Sequence, residues 1–159
     1  MSPVQPVPPG THTITPHLVV KGAAQAIDFY KQAFGAAEKA RMPGPGGMIM
    51  HAEIKIGDSW IFLADEMPGM GNKSPQTLGG SAVTLHISAA DCDAMFRQAV
   101  AAGATVRMPL MDMFWGDRYG QVADPFGHVW AISTHKEDLT HEQVIERGKA
   151  AMEAMGMKM

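Results

Sequence analysis

An α+β fold of two βαβββ modules, forming a cupped mixed β-sheet and followed by a C-terminal helix, is the architecture this sequence predicts. Three observations predict it. Asp124-Pro125-Phe126-Gly127-His128 joins two strand-like segments, and its Asp-Pro-x-Gly order gives a tight turn through proline's fixed φ and glycine's access to positive φ. The same plan occurs earlier, where Ile54-Lys55-Ile56 runs through Gly57-Asp58 into Ser59-Trp60-Ile61-Phe62-Leu63, so that Trp60 falls where Trp130 falls. Finally, two helical segments carry matching text, Lys31-Gln32-Ala33 and Arg97-Gln98-Ala99, each between a strand and three further strands.

Residues 1 to 12 form a proline-rich tail, with four prolines in the first ten positions, and an extended, poorly ordered course is expected there. Thr13 to Val20 is rich in β-branched and apolar residues and reads as a strand. Ala23, Ile27, Tyr30 and Phe34 then share one helical face before Gly35 ends the helix. A strand from Ala37 to Met42 stops at Pro43-Gly-Pro-Gly-Gly47, and Met48 to Ile56 alternates, with Ala52, Ile54 and Ile56 opposite His51, Glu53 and Lys55. The strand Trp60 to Ala64 completes the first module, residues 13–66.

Met67 to Gly80, rich in Gly, Pro, Asn and Ser, is the predicted linker. The second module, residues 81–136, repeats the order: a strand from Ser81 to Ser88, Asp91 as helix N-cap, a helix from Ala94 to Ala102 ended by Gly103, a strand from Thr105 to Met113, then the Asp-Pro-x-Gly hairpin. Residues 137–159 add a helix that starts at Thr140 with Gln143 three positions on, a capping-box spacing, and runs to about Ala154.

With 159 residues, 46% hydrophobic and 18% charged, the composition is that of a globular chain able to bury a real core. The net charge of −3 and the lack of any Lys/Arg cluster argue against nucleic-acid binding. The start carries neither the basic nor the apolar region of a secretory signal, and no run is long enough to span a membrane, so a cytoplasmic protein with no membrane association is expected. The single cysteine, Cys92, lies between Asp91 and Asp93, where neighbouring carboxylates disfavour a thiolate, and it reads as inert. Ser-His-Asp order, P-loop, G-x-G-x-x-G and Cys-x-x-Cys motifs are all missing.

The duplicated βαβββ pattern, the helix text Ile27-Asp28-Phe29-Tyr30-Lys31-Gln32-Ala33-Phe34-Gly35 and the Asp124–His128 turn together resemble the vicinal-oxygen-chelate superfamily of glyoxalase I, fosfomycin- and bleomycin-resistance proteins and extradiol dioxygenases. Thr15-Pro16-His17-Leu18-Val19-Val20, His51-Ala52-Glu53-Ile54 and Phe114-Trp115-Gly116-Asp117-Arg118-Tyr119 are similar to its PhnB-like branch. The likeness covers Thr13 to His135. It implies two modules pairing into cups, usually through a homodimer, and in the metal-using members a divalent ion held by His, Gln or Glu on the first and last strands of each module.

Counting from the helices and turns puts those positions on Thr15, Ile61, Ala82 and Ala131, none a useful ligand. A displaced site from His17, His86 and Asp65, reading Ile61, Leu63 and Asp65 as inward, is the alternative, and would suit Zn, Ni or Mn. Whether the protein is catalytic stays open. The expectation drawn from vacant ligand positions and a methionine-rich cup is a metal-independent protein that binds a small apolar or aromatic molecule in the manner of the bleomycin-resistance members. The alternative is a metal-dependent lyase or transferase of the glyoxalase type.

The candidate ligand-binding residues are His17, His51, His86, Trp115, Arg118 and Gln121. Alternation places His17 and His86 on inward faces, and His51 belongs to the polar stripe of its strand. Trp115, in a glycine-bounded apolar segment, suits a pocket wall or the core. Arg118 either pairs with Asp117 or offers a planar fork to an anionic or carbonyl ligand, and Gln121 shares a strand face with Tyr119. Trp115, Arg118, His17 and His86 are expected to line one cavity.

Overall fold

The computed structural model of the chain describes residues 4–157. Its elements follow the order β1 (His17–Val20), α1 (Ala23–Phe34), β2 (Ala37–Pro43), a short 3-10 turn (Pro45–Gly47), β3 (Ile49–Ile56), β4 (Ser59–Asp65), α2 (Pro75–Leu78), β5 (Thr84–Ser88), α3 (Cys92–Ala102), β6 (Thr105–Asp112), β7 (Asp117–Ala123), β8 (Val129–His135) and α4 (His141–Ala154). This is an α+β fold with two βαβββ modules and a C-terminal helix.

The predicted cupped sheet is two mixed sheets, ordered β1-β4-β3-β2 and β5-β8-β7-β6, with no ladder joining them among the described residues. In each, the first strand runs parallel to the last and the other pairs are antiparallel. The first strand starts at His17 rather than Thr13. The linker carries a one-turn helix, α2, capped by the Ser74 side chain, which accepts from the Thr77 N–H at 3.3 Å.

Alternation explains which faces are buried. In the first sheet Leu18, Val20, Ala52, Ile54, Ile61 and Leu63 are buried toward α1, whose Ala23, Ala26, Ile27, Tyr30, Ala33 and Phe34 form the facing stripe. In the second, Val122, Trp130 and Ile132 are buried, with Leu85 and Ile87 packed beside them. The two helices meet, and the Gln98 side-chain amide donates to the Gln32 carbonyl at 2.6 Å.

Two carboxylates hold this arrangement. Asp65, 7% exposed, accepts from the Gly22 and Ala23 N–H groups on one oxygen and from the Ile49 N–H on the other, all at 2.8 Å, so it caps α1 and pins the start of β3. Asp124 joins the modules: its Oδ2 accepts from the Tyr30 hydroxyl at 2.7 Å and the Trp130 indole at 2.9 Å, and its Oδ1 accepts from the Phe126 and His128 N–H groups. Burial, then the adjacent Asp124 carboxylate, pushes the Tyr30 phenol well above its ordinary pKa.

Two expectations are corrected here. Trp60 and Trp130 are not equivalent. Trp130 is 1% exposed and packs on Tyr30 and Phe34, with ring centroids 5.3 and 4.7 Å away, whereas Trp60 lies on the opposite sheet face under Lys55 and donates to the Gly10 carbonyl at 2.9 Å. For the same reason Ile61, Leu63 and Asp65 are not inward residues: His17 pairs with Phe62, so the open face of β4 is Trp60, Phe62 and Ala64. The two hairpins explain the slip. Ile56 pairs directly with Ser59 across a two-residue turn, but Ala123 pairs with Val129 across five residues, and aligning the strands on their turns puts them one residue out of step, which exchanges the faces.

Candidate functional site

The open sheet faces gather the candidate residues into two groups. On the first sheet His17 and His51 meet edge to face, centroids 5.9 Å apart, and Phe62 stands 6.4 Å from the former and 5.0 Å from the latter. Glu53 lies 3.4 Å from the His51 ring nitrogen. Partial burial, reinforced by the neighbouring His51 ring, holds the His17 pKa below its usual value, favouring neutral imidazole.

On the second sheet Tyr119 is the centre. Its ring lies 5.7 Å from His86 and 5.5 Å from Trp115, and its hydroxyl accepts from the Gln121 amide at 2.7 Å. His86 also bonds the Ser133 hydroxyl at 2.7 Å. Trp115 donates its indole N–H to Asp117 Oδ2 at 3.2 Å, and His135 stands between Asp117 at 2.8 Å and Asp138 at 2.9 Å. Tyr119, Ser133 and Phe62 thus complete the groups without having been candidates. Alternation could have found Tyr119, two residues from Gln121, whereas Phe62 and Ser133 join their groups through register, Phe62 pairing with His17 and Ser133 with Tyr119.

Arg118 points the other way. Being next in sequence to Tyr119 it falls on the helix-facing side, where its guanidinium donates to both Asp93 oxygens at 2.6 and 2.9 Å and to Asp112 at 3.2 Å. The expected pair with Asp117 is therefore replaced by a fork onto the first turn of α3. Cys92 beside it is buried, with its N–H donating to the Thr134 hydroxyl.

A cavity of about 780 Å³ opens where β5 faces the starts of β1 and β4. Phe34, Trp60, Ile61, Leu85, Met95 and Trp130 give it apolar walls, and Thr15, Asp58, His86 and Ser88 supply polar groups. Of the six candidates His86 alone lines it. His17, Trp115 and Arg118 do not join His86 in this cavity; the first two belong to the open faces, and His86 both lines the cavity and stands 5.7 Å from the Tyr119 ring.

Three of the positions considered for the superfamily's metal offer it no free donor on the open face. Ile61 is buried on the helix side, Ala131 has no donor, and both Asp65 oxygens are occupied by backbone N–H groups on the face away from His17. Asp65 thus does not share a sheet face with His17, and the set His17, His86 and Asp65 does not gather on one face.

His135 gives a pH expectation. The Asp138 and then the Asp117 carboxylate raise its pKa above the ordinary value of 6.5. A group raised in the folded state contributes stability that is fully present below its unfolded pKa and is lost as pH rises through the folded one. Melting temperatures of wild type and His135→Gln should therefore differ most in mildly acidic buffer, wild type higher, with the gap closing above neutrality. A constant gap across that range would assign the difference to packing instead.

Two helix-backed mixed sheets with open polar and aromatic faces define a chain of the vicinal-oxygen-chelate class. The chain belongs to the Glyoxalase/Bleomycin resistance protein/Dioxygenase superfamily, which it matches over residues 11–132. It is 47% identical over 146 residues to an uncharacterized protein of Mycobacterium bovis, spanning 90% of this chain and 93% of that one. Among solved structures it is similar to TioX from Micromonospora sp. ML1, with 26% identity and a TM-score of 0.63 over 78% of this chain and 98% of that chain. A PhnB protein from Bacillus cereus, 18% identical with a TM-score of 0.61 over 77% of this chain and 99% of that chain, shares the fold. Among the described residues no helix is long and apolar enough to cross a membrane.

Proposed function

We propose that this protein is a metal-independent, PhnB-like binder of a small apolar or aromatic molecule, sequestering it in the manner of bleomycin-resistance proteins. The observation that carries the reading is the cavity of about 780 Å³ with aromatic walls, lined in part by His86, whose ring stands 5.7 Å from that of Tyr119. Ligand sites are mostly apolar cavities of some 300–1,000 Å³ with a few placed polar groups, and Thr15, Asp58, His86 and Ser88 are groups of that kind. Trp115 and Tyr119 supply flat surfaces for an aromatic ligand.

The working unit is a cytoplasmic homodimer in which a second copy covers the open faces, bringing His17, His51 and Phe62 of one chain toward the second-sheet group of the other. Exposed apolar residues, Ile14 just before β1 at 83% and Val83 just before β5 at 63%, support that cover, as does Ile145 on α4 at 44%. Sedimentation at micromolar concentration should give the dimer mass; a monomer alone would oppose it.

Native mass spectrometry of protein purified without chelator tests the function: a bound organic molecule and no stoichiometric ion is the expected spectrum. Chelation should leave the melting temperature unchanged, because an ion that bound only the folded state would add stability by mass action. A drop of several degrees, reversed by Zn, Ni or Mn and absent in His17→Ala, would overturn the proposal in favour of a metal-dependent lyase or transferase of the glyoxalase type.

A further inference from the structure

We infer that α4, outside the stretch matched to the superfamily, is a positioning element for the ligand face, and that Gly148 sets the Trp115 indole through Phe114. The inference rests on the reading of the Tyr119 face as a ligand site. Gly148 is the one buried residue of α4, in the middle of a 14-residue helix. Glycine there costs roughly 1 kcal/mol of helix stability relative to alanine, so local propensity does not favour it. Close approach does. A Cβ on Gly148 would lie 3.0 Å from Cε2 of the Phe114 ring and 3.5 Å from two more of its atoms.

Phe114 passes the contact on. Its ring stands edge to face with Trp115, centroids 5.0 Å apart at 87°, and Trp115 meets Tyr119 in the same manner at 5.5 Å and 77°. The order of contact is α4, Phe114, Trp115, Tyr119, then His86, which lines the cavity.

The segment entering α4 is tied to the same loop. The Lys136 and Glu137 N–H groups both donate to the Gly116 carbonyl, at 2.9 and 3.0 Å. Gly116 has a φ of +96°, and a Cβ there would lie 2.6 Å from the Glu137 carbonyl oxygen. Arg147, next to Gly148, forks onto Glu137 at 3.1 and 3.0 Å. The Thr140 capping box fixes the start of the helix. Loop and helix are therefore one unit, and a change in the seat of α4 on Phe114 reaches the indole.

The experiment uses full-length protein labelled with 5-fluorotryptophan, which gives one fluorine resonance for each of Trp60, Trp115 and Trp130, together with the affinity for 8-anilinonaphthalene-1-sulfonate. In Gly148→Ala and more so in Gly148→Leu, the Trp115 resonance should move while the other two stay, and affinity in Gly148→Leu should fall about tenfold. Adding Phe114→Ala to Gly148→Leu relieves the overlap and should make Trp115 indifferent to the residue at 148. An unmoved Trp115 resonance in both single variants overturns the inference, whatever the dye does. Fluorine shifts are read without ligand, so that failure is distinct from failure of the proposed site, which is the case in which Trp115→Ala binds the dye as wild type does.

Discussion

Asp124→Ala is expected to lower the unfolding free energy by about 4 kcal/mol, a large part of the 5–15 kcal/mol typical of a domain. The carboxylate is 5% exposed and accepts four hydrogen bonds, from Tyr30, Trp130, Phe126 and His128. Removing it strands a hydroxyl, an indole N–H and two backbone N–H groups, in or beside the core, and each buried unpartnered donor costs roughly 1–3 kcal/mol. Asp124→Asn separates the contributions. Its remaining oxygen can still serve the turn, but the amide nitrogen then faces the Trp130 donor, so about half the loss is expected. Urea denaturation followed by circular dichroism measures both. An Asn variant as stable as wild type would mean that the Tyr30 and Trp130 contacts add little, and that the module joint rests on ring packing alone.

Trp115→Ala is expected to weaken binding of 8-anilinonaphthalene-1-sulfonate about 30-fold, roughly 2 kcal/mol, with little change in melting temperature. The indole is only half-buried, and it contributes a flat face beside Tyr119 rather than a piece of the core. Trp115→Phe keeps an aromatic surface but loses the N–H bond to Asp117, and should retain most of the affinity. Tyr119→Phe removes only the oxygen that orients Gln121 and should cost a few-fold at most. If Trp115→Ala is indistinguishable from wild type in dye binding, the ligand does not use this face.

Several residues show how far the sequence carries and where it stops. The α1 stripe of Ala23, Ile27, Tyr30 and Phe34, its glycine stop at Gly35, the Asp91 cap and the Thr140–Gln143 capping box are legible because helix periodicity and capping are local. The repeat of βαβββ is legible because each module repeats the same order of local signals. His86 and Gln121 fall on the open face, as alternation in their own strands requires.

What local signals could not supply was the phase of one strand against another. Register across a hairpin depends on turn length, and a two-residue turn in one module against five in the other moved Ile61 and Asp65 to the buried side and Phe62 to the open one. Arg118 was read beside Asp117, its neighbour in sequence, but adjacent residues in a strand point to opposite faces, and its partner Asp93 is supplied by α3 from 25 positions away. The Asp-Pro-x-Gly turn was legible as a turn. Its use as the joint between modules was not, since that depends on Tyr30 lying 94 positions away. Periodicity, caps and turns thus fixed the elements and their order, because those depend on neighbours along the chain. Which side chains share a face, and which carboxylate each donor meets, was decided by strand register and helix packing, contacts that exist only once the chain has closed on itself.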